Sequence, residues 1–431
     1  MRESNTLALS CFAALAPEYK TVRSVTSSLA ARTSAEDQMV QSCPEASPMK
    51  WHQAHTTWFF ETFVLRPFLP GYKPFCEEFR WLFNSYYNSI GEAPPEKHLR
   101  AAFSRPPLDE VIAFRAHVDE AMEKLFAGQI HAEAARRVVL GLNHEQQHQE
   151  LMLTDIKHAF FSNPLRPAYD SAPLAGAGDA SASDFPWHRF HDGVTEIGYS
   201  VDSTNCLDFC FDNETPRHKV YLEAFRIATR SVTCREYLEF MSNDAYGRPE
   251  FWLSDGWEAV GKQGWHAPLY WERDAADSTG WRIYTLRGWH PLSALLETPV
   301  CHVSFFEADA FAPWRGCRLP NEAEWELAAN ETSIRGNLLD TGRLHPAIAS
   351  GDDLDQLFGD SWEWTASPYT GYPGYKPLPG ALGEYNGKFM SGQMILRGGS
   401  CVTPASHLRA TYRNFFQPAT RWQFTGIRLA A

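Results

Sequence analysis

The chain has 431 residues, a formal net charge of −13 at pH 7 and 44% hydrophobic residues. This length accommodates two domains with separate hydrophobic cores, and the apolar content argues against disorder. The acidic balance, without a block of Lys or Arg, argues against nucleic acid or an anionic membrane as the main partner. No apolar stretch of the sequence approaches the roughly 20 residues of a membrane span.

The nine cysteines are scattered along the chain, and none of them forms a C-x-x-C pair. With no recognisable signal peptide, this usage predicts reduced thiols and a cytoplasmic location. Cys206 and Cys210 stand four residues apart. They could still pair with each other or share a metal ion, although no second pair of ligands accompanies them.

The first part of the chain carries mostly helix signals. Residues 1–16 are predicted to form an N-terminal tail, and residues 17–165 are predicted to form a four-helix bundle. Apolar residues at helical spacing, together with proline and glycine signals, delimit its helices. These run over about residues 19–29, from Ser47 and Pro48 to a point before Pro67, from Pro107 to Gly128, and from His131 to Phe161.

The chain changes character after this bundle. Residues 166–190, rich in proline and small residues, are predicted to be a linker. Residues 191–431 show short apolar stretches punctuated by Gly, Pro and Trp, which predicts short strands and long ordered loops. Only two helices are evident there, one over about Cys234–Asn243 and one that begins at the N-cap Asn321. The predicted fold class is therefore α+β, with more than one domain.

Two histidines in the long helix form the most informative local pattern. His144 and His148 are four residues apart, so they lie on one helix face and can share one metal ion. They are in line with Leu140 and Leu151, which predicts that this face is buried. Because burial of imidazoles without partners is costly, a bound metal explains the pair better than solvated side chains do.

The same string matches H-E-x-x-H, the motif of zinc metallopeptidases, in which Glu145 would be the general base. A peptidase usually has its third ligand downstream of this pair, whereas the better candidate here is upstream. His55 lies on the inward stripe of the helix that follows Ser47, and His52 is its competitor three residues earlier. Three neutral imidazoles suit Fe(II) as well as Zn(II), so ligand type alone leaves the metal open.

These segments resemble a known pair of domains. The first half is similar to the metal-binding domain of the ergothioneine-biosynthesis sulfoxide synthases, within the wider DinB-like four-helix family. The second half is similar to the formylglycine-generating-enzyme/sulfatase-modifying domain, which has a C-type-lectin-like fold. The matching segments are Lys50–Phe63, His144–Asp155, Cys317–Glu326, Gly359–Thr365, Leu396–Ser400 and Gly426–Ala430. The two domains in this order are more specific than either motif alone.

The resemblance implies a reaction and a ligand set. Fe(2+) held by His55, His144 and His148 would use O2 to join the sulfur of L-cysteine or gamma-glutamylcysteine to the imidazole of hercynine (N-trimethylhistidine), giving a sulfoxide. Gln147 and Asn414 would hold the hercynine carboxylate. Three histidines leave three of the six positions of iron open for these reactants. Aromatic side chains close to Asn414 suit a trimethylammonium group: Tyr412, Phe415 and Phe416.

One departure from the family pattern concerns the thiol. The gamma-glutamylcysteine branch has an acidic residue where this chain has Phe416, and that acid would meet the glutamyl ammonium group. A phenylalanine cannot replace the carboxylate, so the sequence favours L-cysteine as the sulfur donor. The cysteine carboxylate needs a cation, for which Arg105 and Arg413 are the candidates and Arg100 and Arg397 compete.

A second departure concerns the catalytic tyrosine. The stretch 376–380 lacks the tyrosine that the gamma-glutamylcysteine branch has there, whereas Tyr86 and Tyr87 resemble a pair found in the cysteine-using branch. A phenol at this place could donate a proton during the reaction with O2. Aromatic packing is the alternative role of the pair, and the outside candidates are Tyr369, Tyr372 and Tyr375.

Three other functions remain open at this point. An ovothiol-type sulfoxide synthase would act on plain histidine, but such proteins usually carry a methyltransferase domain for which this chain has no room. A zinc peptidase would use Glu145 as its base. A lectin-like binding protein would hold the metal for structural reasons only. The sequence does not indicate an oligomeric state.

Overall fold

A computed structural model of the chain describes residues 2–85, 87, 90, 94–128, 130–174, 186–202, 205, 207–351, 354–384 and 386–431, without the side chains of residues 2–13 and 384. The chain divides into two compact units. Unit 1 comprises Met1–Ser162, Val201–Cys210 and Pro377–Tyr385; unit 2 comprises Asn163–Ser200, Phe211–Lys376 and Asn386–Ala431. Two short segments of the predicted second domain, residues 191–431, thus belong to unit 1, which the predicted boundaries do not anticipate.

Unit 1 is helical. Its helices are α1 (Arg2–Ala30), α2 (Met49–Phe60), α3 (Arg66–Phe68), α4 (Phe79–Leu82), α5 (Leu108–Ala127) and α6 (Ala132–Ser162). The four long helices, α1, α2, α5 and α6, pack against one another, as predicted for a bundle. Helix α1 begins at Arg2, so the segment predicted as a tail is helical from its second residue.

The predicted end of α2 before Pro67 is wrong. The helical path continues from α2 through a π-helical turn, Glu61–Leu65, and then into α3, which includes Pro67. Proline is tolerated there because it occupies the first turn of α3, where no helical hydrogen bond from its nitrogen is required. Single π turns often occur close to functional sites, and this turn begins six residues after His55.

Helices α2 and α6 approach each other closely at Gly141. A Cβ atom on this residue would lie 2.7 Å from the ring of Phe60 and 2.9 Å from that of Phe59. Only glycine therefore fits one turn before His144 without displacement of these rings. This close approach brings the histidine of α2 within reach of the pair on α6.

Unit 2 is built from short strands and four helices. The strands are β1 (Trp187–Phe190), β2 (Gly193–Ile197), β3 (His218–Leu222), β4 (Phe225–Ala228), β5 (Trp271–Arg273), β6 (Trp281–Thr285), β7 (Gly288–Pro291), β8 (Trp362–Pro368), β9 (Met394–Arg397), β10 (Asn414–Phe416) and β11 (Thr425–Gly426). They form sheets in the orders β10-β9-β8-β11, β5-β6-β7, β1-β4 and β2-β3. All pairs are antiparallel except β8 with β11.

The helices of unit 2 are α7 (Cys234–Ser242), α8 (Ser254–Gln263), α9 (Phe305–Trp314) and α10 (Glu322–Ala329). Helix α10 has the predicted N-cap at Asn321. The expectation of only two helices is wrong, because α8 and α9 are also present. Helix α9 opens with a capping box from Ser304 to Glu307, a signal that its mostly apolar sequence obscures.

The predicted linker is partly integrated into unit 2. The backbone N–H groups of Tyr169 and Asp170 both donate to the carbonyl of Leu286, at 2.8 and 3.0 Å. Strand β1, at the other end of the predicted linker, pairs with β4. No helix in the described ranges is both long and apolar enough to cross a bilayer. Seven of the nine cysteines are described without a disulfide, whereas Cys206 and the side chain of Cys11 lie outside the part of the chain that the structure describes.

Candidate metal centre

The three histidines predicted as ligands meet in unit 1. His55 on α2 and the pair His144 and His148 on α6 each offer a ring nitrogen, and these nitrogens all lie within 4.8 Å of one another. The ring centroids are 4.6 to 5.0 Å apart. Among the described residues, this is the one group of three or more side chains with the arrangement of a metal site.

The ring of His55 is held with one nitrogen towards the cluster. Its Nδ1 lies 2.6 Å from the carbonyl oxygen of Phe83, which can only accept, so Nδ1 carries the proton. Nε2 is then an unprotonated acceptor, buried and without a hydrogen-bond partner among the residues that the structure describes. A buried acceptor left unsatisfied is costly, and a metal ion at this nitrogen would remove the cost. The donor set thus fits a metal.

Two tryptophans fix the plane of this ring. Trp51 and Trp58, four residues before and three residues after His55 on α2, both stack on the ring of His55, at centroid distances of 4.4 and 5.3 Å and interplanar angles of 12° and 13°. The guanidinium of Arg100 lies 3.5 Å from the centroid of Trp51. These stacked groups restrict rotation of the imidazole and so preorganise the ligand.

His144 and His148 are arranged as two ligands of one ion. Their Nε2 atoms are 3.1 Å apart, close to the separation of about 3 Å expected for adjacent nitrogens roughly 2.1 Å from a shared metal. Burial lowers the pKa of His144 to about 3 and holds the pKa values of His55 and His148 well below the usual range. The rings are therefore neutral at pH 7, which is the form that binds metals.

Glu145 is not available as a general base. Its side chain is fully buried, with Oε2 3.0 Å from Arg23 and Oε1 3.1 Å from Arg115. Burial raises the pKa of this carboxyl, but the two guanidinium charges outweigh burial and lower the pKa to about 2. A carboxylate held in this way accepts a proton from water poorly, so the H-E-x-x-H motif does not act here as it does in a metallopeptidase.

His52, the competitor of His55, is buried but lies outside the three-histidine cluster. It is 1% exposed, with Nδ1 2.7 Å from Nδ1 of His148 and Nε2 3.2 Å from Oδ2 of Asp155. Both of its nitrogens are engaged, so it lies behind His148 and is not part of the cluster. Sequence reasoning did not single out Asp155, although its position seven residues after His148 places both on one face of α6.

Of the tyrosines and the glutamine predicted to act in unit 1, the structure describes Tyr87 and Gln147. Tyr86 lies outside the described residues. Tyr87 is buried, with its ring 5.6 Å from that of Trp58, which in turn stacks on His55. Gln147 is half-buried on α6, between the two ligands in sequence. Its predicted contact with substrate, like the role of Tyr87, stays a prediction.

The candidate cations differ in their partners. Arg105 is exposed and donates to the carbonyl of Ser104, whereas Arg100 is buried and donates to Ser47 and Ser85. In unit 2, Arg413 forms a two-bond ion pair with Glu322 and donates to two backbone carbonyls. Arg397 is paired with Glu326. The structure thus gives no support to Arg413 or Arg397 as a free carboxylate-binding group.

The substrate-binding residues predicted in unit 2 form strand β10. Asn414, Phe415 and Phe416 pair with β9 and are half-buried. Phe415 stacks on Tyr369 at 4.0 Å and 10°. Asn414 accepts a hydrogen bond from the N–H of Phe415 through Oδ1. The strand therefore presents an amide and aromatic rings, and its contact with hercynine stays a prediction.

Comparison with known proteins agrees with this architecture. Residues 191–347 and 342–431 match the family described as Sulfatase-modifying factor enzyme 1-like domain, which confirms the predicted class of the second half. The hercynine oxygenase of Mycobacterium tuberculosis is 30% identical over 90% of this chain and 91% of its own length. That of Mycolicibacterium smegmatis is 32% identical over 68% of this chain and 71% of its own length.

A fungal protein shares a smaller part of the chain. Ergothioneine biosynthesis protein 1 of Schizosaccharomyces pombe is 28% identical over 56% of this chain and 28% of its own length. The identity to the bacterial relative extends through both halves, the helical part and the sheet-containing part. The chain therefore belongs to the hercynine oxygenase family of enzymes.

Proposed function

We propose that this chain is an iron(II)- and O2-dependent sulfoxide synthase that joins the sulfur of L-cysteine to the imidazole of hercynine in ergothioneine biosynthesis. The observation that carries the proposal is the three-histidine cluster, in which His55 and His144 are buried, His148 is half-buried, and Nε2 of His55 has no hydrogen-bond partner among the described residues. The family supplies the reaction class, since relatives that align with both halves are hercynine oxygenases.

At the cluster itself, the side chains would mainly hold and orient the metal ion and would take little part in acid–base chemistry. His55, His144 and His148 would hold the ion on one face, and their neutral rings would leave its positive charge largely uncompensated. Iron(II) bound there would supply reactivity towards O2 and would lower the pKa of an incoming thiol. Imidazoles alone do not select iron over zinc, so the choice of iron rests on the family.

The proposed thiol is free cysteine. Phe416 is an apolar residue on β10 and offers no carboxylate for the ammonium group of a glutamyl substituent. Arg105 is the proposed partner of the cysteine carboxylate, because its side chain is exposed and retains donors. Lys50, one residue before Trp51, donates to the carbonyls of Phe103 and Pro106, which keeps the Arg105 loop beside the start of α2.

The proposed proton donor is one of the adjacent phenols. Tyr87 lies in the aromatic layer next to Trp58, and therefore one ring away from the ligand His55. Tyr86, its neighbour in the sequence, is the other candidate. A phenol that delivers a proton during the reaction with O2 would favour sulfoxide formation over simple oxidation of the thiol.

The test is a reaction of the full chain loaded with Fe(II) under anaerobic conditions. Hercynine and cysteine are then added, followed by O2, and the products are identified by mass spectrometry. We expect one product whose mass equals hercynine plus cysteine plus one oxygen atom minus two hydrogens, with one O2 consumed. Peptide cleavage by zinc-loaded protein, without O2 uptake in the iron-loaded sample, would overturn the proposal.

A further inference from the structure

Two buried side chains, His52 and Asp155, stand in line behind the ligand His148. Nδ1 of His52 lies 2.7 Å from Nδ1 of His148, and Nε2 of His52 lies 3.2 Å from Oδ2 of Asp155. The same carboxylate oxygen accepts the backbone N–H of Ser47 at 2.8 Å, just before α2 begins. The three side chains thus form a continuous hydrogen-bonded row, in which His52 on α2 bridges His148 and Asp155 on α6.

The chemistry of the row fixes the direction of each bond. A carboxylate oxygen only accepts, so Nε2 of His52 must donate to Asp155. In a neutral imidazole the other nitrogen is then an acceptor, so Nδ1 of His52 accepts from Nδ1 of His148. His148 is left with its lone pair on Nε2, the nitrogen 3.1 Å from Nε2 of His144 and within the cluster.

We propose that Asp155 and His52 are positioning residues that hold His148 in the tautomer and orientation in which Nε2 binds the metal. The inference rests on the metal site of the proposed function, but not on the reaction carried out there. His55 is oriented by a different interaction, the hydrogen bond from its Nδ1 to the carbonyl of Phe83. The histidines of the two helices are therefore held by different partners. Loss of such outer partners typically weakens metal binding about 10- to 100-fold.

The experiment compares variants of the full chain by anaerobic titration with Co(II), whose visible absorption bands report its ligands. His52→Phe removes the acceptor for His148 at similar volume, and we expect Co(II) affinity about 10- to 100-fold lower with a changed absorption spectrum. His52→Gln keeps an oxygen that can accept from His148, so it should recover most of the affinity. His117→Phe is the matched control, because His117 bonds to the carbonyl of Lys73, outside this row.

A second measurement identifies the tautomers directly. Long-range proton–nitrogen correlation spectra of the Zn(II)-loaded wild-type protein should show the proton of His148 on Nδ1 and that of His52 on Nε2. The opposite tautomers, or wild-type Co(II) affinity and spectrum in His52→Phe, would overturn the inference. If His52→Phe does not fold, the wild-type tautomers and the His52→Gln titration decide.

The two proposals can fail separately. Tight Co(II) binding with the expected tautomers, but no product from the iron-loaded enzyme, would refute the proposed function and leave the positioning role intact. Normal turnover of the iron-loaded enzyme, together with unchanged metal affinity in His52→Phe, would support the proposed function and refute the positioning role.

Discussion

Nη2 of Arg115 lies 3.1 Å from Oε1 of Glu145, in the interior of the helical unit. Arg23 holds the other carboxylate oxygen and also donates to Thr57 on α2 and to Asp119 on α5. Glu145, the residue next to the proposed ligand His144, thus belongs to an ionic network that connects the four long helices. This network, and not catalysis, accounts for the glutamate of the H-E-x-x-H motif.

Glu145→Gln should therefore reduce stability. It would leave two buried guanidinium groups without a full countercharge, which typically costs about 3–5 kcal/mol. We expect the midpoint of urea unfolding to fall sharply, or the unit to fail to fold. Glu123→Gln is the control, because Glu123 forms an exposed pair with Lys20 and its loss should cost less than about 1 kcal/mol. A stable Glu145→Gln variant would contradict the structural role.

His55→Ala should lose metal binding but keep the fold. The ring would supply one of the three proposed ligand nitrogens, so we expect its removal to weaken metal binding by more than the roughly 100-fold effect of outer-partner substitutions. Anaerobic Fe(II) titration, with circular dichroism of the metal-free protein, separates the two effects. His98→Ala, at an exposed histidine of the same unit, should behave like the wild type. Collapse of the helical signal in His55→Ala would instead favour a purely structural metal.

Substitution of each of the two adjacent tyrosines tests which one is the proton donor. We expect either Tyr86→Phe or Tyr87→Phe to reduce sulfoxide formation about 100-fold, because the proton donor is lost. Cysteine should then be diverted to cysteine sulfinic acid, which mass spectrometry quantifies beside the sulfoxide. Tyr221→Phe, an exposed phenol of unit 2, serves as the control. Unchanged product ratios in both single variants would place the active phenol elsewhere.

The chain should prefer cysteine to gamma-glutamylcysteine. Phe416 offers no negative charge to the second thiol, and an unpaired ammonium group against an aromatic ring binds poorly. We expect kcat/KM to be at least about tenfold higher for cysteine, and Phe416→Asp to narrow this ratio. Steady-state O2 uptake with each thiol measures both. Equal kcat/KM values in the wild type would refute the preference.

Asp360 gives a prediction about stability and pH in unit 2. Its Oδ1 accepts hydrogen bonds from Asn337 and from the N–H of Ala347, and burial raises the pKa of its carboxyl to about 7. Between about pH 4 and 7 the unfolded chain releases this proton while the folded protein retains it. The folded protein therefore loses stability as the pH rises through this window.

Asp360→Asn should remove this penalty, since an amide oxygen can accept the same two bonds and asparagine tolerates the left-handed backbone at φ 57°. We expect the variant to be about 1–3 kcal/mol more stable at pH 8 and nearly unchanged at pH 4. Urea unfolding at both pH values measures this difference. Asp192→Asn, at an exposed position, should show no such dependence. Lower stability of Asp360→Asn at pH 8 would contradict the prediction.

Much of the architecture could be predicted from local pattern. The four long helices follow from apolar spacing and from proline and glycine at their ends, and α10 follows from its capping box. Helix α9 was missed because its mostly apolar sequence has weak periodicity, and α8 was missed because its ten residues include two glycines, which disfavour a helix. The continuation through Pro67 was missed because local rules do not distinguish a proline that ends a helix from one that begins the next.

The sequence by itself determined which three histidines could share a metal ion. The four-residue spacing on α6 and the inward stripe of α2 depend only on helix geometry. Only the tertiary structure decided which side chains and carbonyl groups surround these histidines and orient their rings. The carbonyl of Phe83 orients His55, and His52 with Asp155 is hydrogen-bonded to His148. Arg23 and Arg115 form ion pairs with Glu145, so this carboxylate is not available as a general base. These contacts join residues on different helices or far apart in sequence, so they exist only once the helices pack, and no local pattern encodes their distances.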